Sequence, residues 1–177
     1  MNLLSGKQNW LDAGRPRGPH HELDDTDFRL MRALVAEGRA SDVCLGERVH
    51  LSSTAVARRR KILEEAGYIT HYSANLNVRS MGFGTLVIVS IELDSQAEAA
   101  LQDFERAVLE SPSMRFCAFV TGDTDFLMIL NVQSLEDYDM IYRAELSVLP
   151  HVAKIRSSFV LREVANRQIA PAILEKR

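Results

Sequence analysis

The run Arg58-Arg59-Arg60-Lys61 is the densest cluster of one charge sign in the 177 residues. Four successive cations suit a polyanion, because guanidinium groups fork guanine edges or phosphates and a lysine grips backbone oxygens as a point charge. Placed on a helix at about 100° per residue with Val56 facing a core, Leu63 falls beside it at about 340°. Thr54, Lys61 and Arg58 then fall at about 160°, 140° and 200°, so geometry selects these three as the outward row. Arg59 lies near the edge of the core face, placed to touch phosphate or to pair with an acidic neighbour. Ser52 and Ser53, at the start of the same helix, could hold a phosphate through hydroxyl and backbone N–H groups. Taken alone, the run also fits a solvated basic face. No set for bond-making chemistry accompanies it: His20, His21, His50, His71 and His151 are scattered, without catalytic or metal spacing. Cys44 and Cys117 lack metal-like spacing as well and read as structural thiols of a reduced, cytoplasmic protein. Neither an enzyme nor a cofactor is expected.

The elements before this run decide between the two readings. Residues 1–21 hold Gly, Pro, Arg, His and Asn without apolar periodicity and read as a flexible arm. Order begins at Leu23: Asp24 can cap a helix, Asp27 sits at its third position, and Leu23 can staple onto Phe28. Leu23, Asp27, Leu30, Met31 and Leu34 follow helical spacing until Gly38. Ser41 caps a second helix with Leu45 and Val49 on one face, which His50-Leu51-Ser52 interrupts. Ser52 or Ser53 caps the third, which stops at Gly67. Three short helices, the last two joined by a tight turn, form a helix-turn-helix, and in that context the basic row favours duplex DNA. Residues 68–76 (YITHYSANL) are rich in β-formers and fit a small wing or connecting strand. Residues 22–78 are therefore a DNA-binding domain, and 79–84, with Met81-Gly82-Phe83-Gly84, a hinge.

From Thr85 the period changes. Residues 86–93 (LVIVSIEL), 114–121 (MRFCAFVT), 125–133 (DFLMILNVQ) and 152–161 read as strands. Helical spacing occupies 96–110 through Ala100, Leu101, Phe104 and Val108, and a second helix runs from Ser134 or Leu135 to Leu149, closed by Pro150. Gly122-Asp123-Thr124 has the residue types of a hairpin turn. The order βαββαβ over 85–164 is a ferredoxin-like sandwich, so the chain is α+β, a winged helix-turn-helix followed by that sandwich, with a tail over 165–177.

Its strands are apolar on both faces, Val87, Val89 and Ile91 against Leu86 and Ile88, and Phe126, Met128 and Leu130 against Leu127 and Ile129. Helices of one layer cover one face only, which leaves the other for a partner copy or, alternatively, for loops and the tail. A symmetric pair would also present two readers to two half-sites. Charge divides accordingly. Residues 24–84 carry nine Lys/Arg against eight Asp/Glu, whereas 85–164 carry six against thirteen, within a net charge of −3. No apolar run approaches the roughly 20 residues of a membrane helix, and the first residues lack the contiguous apolar stretch of a secretory signal.

Read in order, these residues resemble the leucine-responsive/asparagine-regulator (Lrp/AsnC) family of prokaryotic transcription factors. The likeness is carried by LDxxDxxLMxxL at 23–34, LSxxxVxRR…LEExGYI at 51–69, Tyr72, Leu76 and Gly82 in the connector, VTGDTDFLMILNV at 120–132 and LPHV at 149–152. The resemblance implies a dimer assembling into tetramers, octamers or larger discs, with DNA wrapped across several readers. It also implies a free amino acid or related metabolite bound near the GDxD hairpin, which makes Thr121, Gly122, Asp123, Thr124 and Asp125 effector-site candidates. Carboxylates there can pair an ammonium, and turn N–H groups can take a carboxylate; the same residues also simply suit a hairpin. Three positions depart from the family pattern. His50 and His151 stand where glycine is usual, and Arg60, at about 40° on the core side, stands where an apolar residue is usual, with Ile62 in a usually basic place. Histidine tolerates positive φ better than most residues, and Arg60 can snorkel along the core to an acid. Two other functions on the same fold are a small-molecule module that binds no DNA and a sirohaem-decarboxylase-like enzyme. The latter would bring His and Arg to the sheet where this chain has GDTDFLMIL.

Overall fold

A computed structural model of the chain describes residues 21–175; the arm expected over 1–21 lies, His21 apart, outside the described residues. The chain divides into two units, one ending at Asn75 and taking in the residues from Arg167, the other spanning Leu76–Asn166.

The first unit is built from three capped helices, α1 (Asp25–Ala36), α2 (Asp42–Val49) and α3 (Ser53–Glu65). Asp24 closes a capping box on α1: its carboxylate accepts from Asp27 N at 2.8 Å, and Asp27 accepts from Asp24 N at 3.1 Å. Ser41 caps α2 through Cys44 N. Of the two serines that could cap α3, Ser52 does so, accepting from Ala55 N at 3.2 Å. Leu30, Leu34, Leu45, Val49, Val56 and Leu63 form the shared core, each worth about 2 kcal/mol when fully buried. α3 stops in a Schellman arrangement: Tyr68 N donates to Leu63 O, Gly67 N donates to Glu64 O, and Gly67 has φ 78°. Between α2 and α3, His50 adopts the left-handed conformation at φ 58°. The turn passes so close to Gly46 that a Cβ there would lie 2.5 Å from Leu51 O.

The wing or connecting strand expected over 68–76 does not form; the described residues there make no ladder. Residues 70–82 are exposed throughout, and β-forming side chains without a neighbouring strand have nothing to pair with. Beyond it Phe83 N donates to Val78 O, and Gly82 at φ 95° completes a compact turn.

The second unit is the expected βαββαβ sandwich: β1 (Thr85–Leu93), α4 (Glu98–Val108), β2 (Met114–Phe119), β3 (Phe126–Val132), α5 (Leu135–Ile141) and β4 (Val152–Phe159). The sheet order is β2-β3-β1-β4, with every pair antiparallel. Val87, Val89, Ile91, Phe126, Met128, Leu130 and Val132 are buried under Phe104, Val108, Tyr138 and Leu146 of the helical layer. The second helix does not run unbroken to Leu149: α5 passes into a π-helical turn, Tyr142–Leu146, closed by Ser147 N donating to Tyr142 O at 2.8 Å.

The register puts Leu86, Ile88, Leu127 and Ile129 on the other face, joined by Phe116 and Ala118 of β2 and by Lys154, Arg156 and Ser158 of β4. None of these is buried, and Phe116 is 50% exposed. In the first unit, the 3₁₀ turn Pro171–Leu174 packs on α1, with Leu174 buried and its carbonyl accepting from Arg32 at 2.8 Å.

Candidate nucleic-acid interface and effector hairpin

On α3 the split between core and solvent follows the helical wheel. Val56 and Leu63 are fully buried, whereas Ser52, Ser53, Thr54, Arg58 and Lys61 are exposed. Arg58 has no hydrogen-bond or ion-pair partner among the described residues. Lys61 lies 3.7 Å from Glu65 one turn on, with its side chain 74% exposed, a pair that water screens heavily. The row therefore offers two uncommitted or loosely committed cations beside a hydroxyl. Ser53 and Thr54 follow the cap at the positive end of a 13-residue helix.

Arg59 turns the other way. Its Nη1 lies 2.8 Å from both Asp27 Oδ1 and Asp24 Oδ2, bridging α3 to the first turn of α1. Asp27 is fully buried and also receives His21 Nε2 at 2.9 Å and Asp24 N. The hydrogen bond to Asp27, outweighing burial, raises the Arg59 pKa above its ordinary value. Burial pushes the Asp24 carboxyl up, but the Asp27 N–H and the Arg59 guanidinium outweigh it and leave its pKa lowered. Of the two roles open to Arg59, pairing with an acid is the one the structure displays. Arg60 likewise meets acids, Asp42 at 2.9 Å and Glu64 at 3.7 Å.

The hairpin between β2 and β3 sorts the five effector candidates into two sets. Thr124 Oγ1 donates to Ile91 O at 2.7 Å, and Asp125 N donates to the same oxygen. Asp125 is buried, accepting from Leu93 N at 2.8 Å and from Gln96 Nε2 at 3.1 Å. These two residues fasten the hairpin to the end of β1. Thr121, Gly122 and Asp123 are exposed, with Gly122 at φ 122° presenting the backbone outward. Asp94 N donates to His151 O next to this fastening. His151, left-handed at φ 60°, places Nδ1 3.6 Å from Asp94 and Nε2 3.5 Å from Asp103. Gln96, Asp94 and Asp103 carried no signal in the sequence, because they reach the hairpin and His151 only through the sheet and α4.

A three-helix reader with an outward basic row, followed by a ligand-binding type of βαββαβ sandwich, defines the class of DNA-binding regulators that carry their own sensor. The AsnC-type helix-turn-helix domain matches residues 23–64 and the Lrp/AsnC ligand binding domain matches 86–169, and the chain belongs to the Lrp/AsnC family of transcription regulators. It is 35% identical over 150 residues to the Bkd operon transcriptional regulator of Pseudomonas aeruginosa, covering 85% of this chain and 98% of that protein. The leucine-responsive regulatory protein of Escherichia coli K12 is 34% identical over 146 residues, 82% of this chain and 89% of its own. Among solved structures, a transcriptional regulator of Neisseria meningitidis in complex with L-Met superposes with a TM-score of 0.79 at 31% identity, covering 83% of this chain and 95% of its own. No helix among the described residues is long and apolar enough to cross a membrane.

Proposed function

We propose that this regulator works in the cytoplasm as a dimer or larger homo-oligomer. It grips duplex DNA through Thr54, Arg58 and Lys61 and answers to a free amino acid or a close chemical relative. The observation that carries the DNA reading is the uncommitted Arg58, exposed on α3 directly opposite the fully buried Val56 and Leu63. Ser52, Ser53 and the first N–H groups of α3 hold a phosphate, and Arg59 serves by locking α3 onto Asp27. No chemical step is assigned to the chain. On the sensor side, Thr121, Gly122 and Asp123 contact the effector, with Thr124 and Asp125 holding the hairpin that presents them; an amino acid as effector is supported by the Neisseria relative's complex with L-Met.

The test is a salt-titrated binding assay on a duplex enriched by the protein from a random pool. Arg58→Ala and Lys61→Ala weaken binding, and each flattens the log–log salt slope by about 1, the effect of one phosphate left without its cation. Parent affinity and slope in both variants would remove the assignment. For the sensor, a thermal-shift panel of the amino acids on parent and Asp123→Ala is decisive. A shift of equal size in both would place the effector elsewhere.

A further inference from the structure

We propose that Arg60 is a positioning residue of the reading helix, acting through Asp42 on the helix before it and through Glu64 on Tyr72 in the segment after it. This rests on the DNA reading above and concerns a side chain that faces away from the DNA row. Arg60 sits about 40° from Val56 on the wheel, with its side chain 33% exposed. Its guanidinium reaches Asp42 in the first turn of α2 twice. Nη1 lies 2.9 Å from Oδ1, and Nη2 donates to Oδ2 at 3.3 Å. Nε lies 3.7 Å from Glu64 Oε1 one turn further along α3. The same oxygen accepts from the Tyr72 hydroxyl at 2.8 Å.

Four side chains in series thus connect α2, α3 and the exposed stretch that leaves the reader. That stretch has no ladder of its own, so the Tyr72 hydroxyl is a lateral anchor for it. Partial burial of the phenol end against Glu64, reinforced by that carboxylate, pushes the Tyr72 phenol up to about 12, so the donor keeps its proton throughout the physiological range. Asp42 Oδ1 is a buried atom that accepts no hydrogen bond of good geometry. Its compensation is the Arg60 charge, and removing that charge alone leaves a desolvated carboxylate oxygen uncompensated. Removing both partners lifts the penalty, as for any buried polar pair replaced together. Because Arg60 is balanced by Asp42 and Glu64, it adds little to the field that meets DNA. Its contribution is the angle at which α3 is held and the place where the chain departs toward the sensor.

The experiment uses the full chain and a duplex enriched by the parent protein from a random 30-base-pair pool. Arg60→Met weakens binding about tenfold, the scale on which a supporting contact couples to a binding surface, with the salt slope unchanged because every phosphate keeps its cation. Adding Asp42→Ala to Arg60→Met brings little further change in affinity, because the link that the two side chains make is already gone. Tyr72→Phe leaves the slope intact and increases the rate of proteolysis within residues 70–82. A slope flattened by about 1 in Arg60→Met, as for Arg58→Ala, would make Arg60 a phosphate ligand and overturn the assignment. Parent affinity in Arg60→Met, losses that simply add in the double variant, or parent proteolysis in Tyr72→Phe would overturn it too. If Arg60→Met does not fold, the double variant and Tyr72→Phe carry the test. Failure of Arg58→Ala to move the slope would count against the DNA reading itself, and the two failures are therefore separable.

Discussion

Arg58 and Arg59 are neighbours in the chain with opposite tasks, because one residue along a helix is a rotation of about 100°. The rotation sends Arg58 to solvent and Arg59 onto a carboxylate that is fully buried. Arg59→Ala leaves Asp27 desolvated without its guanidinium partner, and a loss of about 3 kcal/mol is expected. Chemical denaturation read through reader-specific signals measures it; a change under about 0.5 kcal/mol, the range of an ordinary surface substitution, would mean Asp27 is compensated another way. Asp24 adds a pH dependence of known sign. Its folded pKa lies below the ordinary 3.8, so its contribution is complete above that value and is lost as pH falls through the lower folded one. Asp24→Asn keeps the cap, since both side chains accept the N–H, but removes this acid-side loss. A pH–stability curve of the same shape in the variant would assign the acid sensitivity to other carboxylates. His50 and His151 both sit at positive φ, at the two positions where the resemblance led us to expect a backbone that favours glycine.

At the scale of elements, α2 and the turn that follows it meet at close range at Gly46. Gly46→Ala would push a Cβ to 2.5 Å from a backbone oxygen, and backbone cannot step aside as a side-chain end can. A destabilisation of about 1–3 kcal/mol follows, with DNA binding falling in parallel because α2 and α3 change their angle. Parent thermal stability in this variant would show that the turn has room to relax. The partial burial of Cys117 on β2, beside Glu105 of α4, is open to a chemical probe. Burial, helped by the Glu105 carboxylate, raises the Cys117 thiol to about 11. Cys117 should therefore resist alkylation at pH 8 in the native protein and react fast once denatured; rapid native labelling would mean that α4 lifts off the sheet readily. Caps, core stripes and the sandwich order were legible in the sequence because each depends on residues within one turn or one strand. The break from α5 into a π-helical turn was not legible, nor was the Asp125 bond to Leu93 N across the sheet. The β-rich residues 68–76 misled for the converse reason: β-propensity describes a fit to a neighbouring strand, and none lies beside them.

At the scale of the whole molecule, the uncovered sheet face has the greatest consequence. Ile88 stands opposite Ile129 on one side and Ser158 on the other, in the central strand pair of a face where no side chain is buried. The last described turn of the tail packs on α1. Apolar area of this kind contributes roughly 25 cal/mol per Å² once removed from water, so a second copy laid face to face is the assembly that we expect. Lys154 and Arg156, on the β4 side, would lie toward one edge of such an interface, where a charge stays hydrated. Ile88→Lys separates fold from assembly. In a lone chain the new ammonium projects to water and disturbs little, whereas in a dimer it must be desolvated at the centre of the interface. Light scattering is expected to show the parent as a dimer or larger and the variant as a monomer with unchanged far-ultraviolet dichroism. Binding to the enriched duplex should fall with it, since two half-sites can no longer be engaged together. A variant that remains assembled would put the interface on another surface, and one that is monomeric yet binds with parent affinity would show that a single reader suffices.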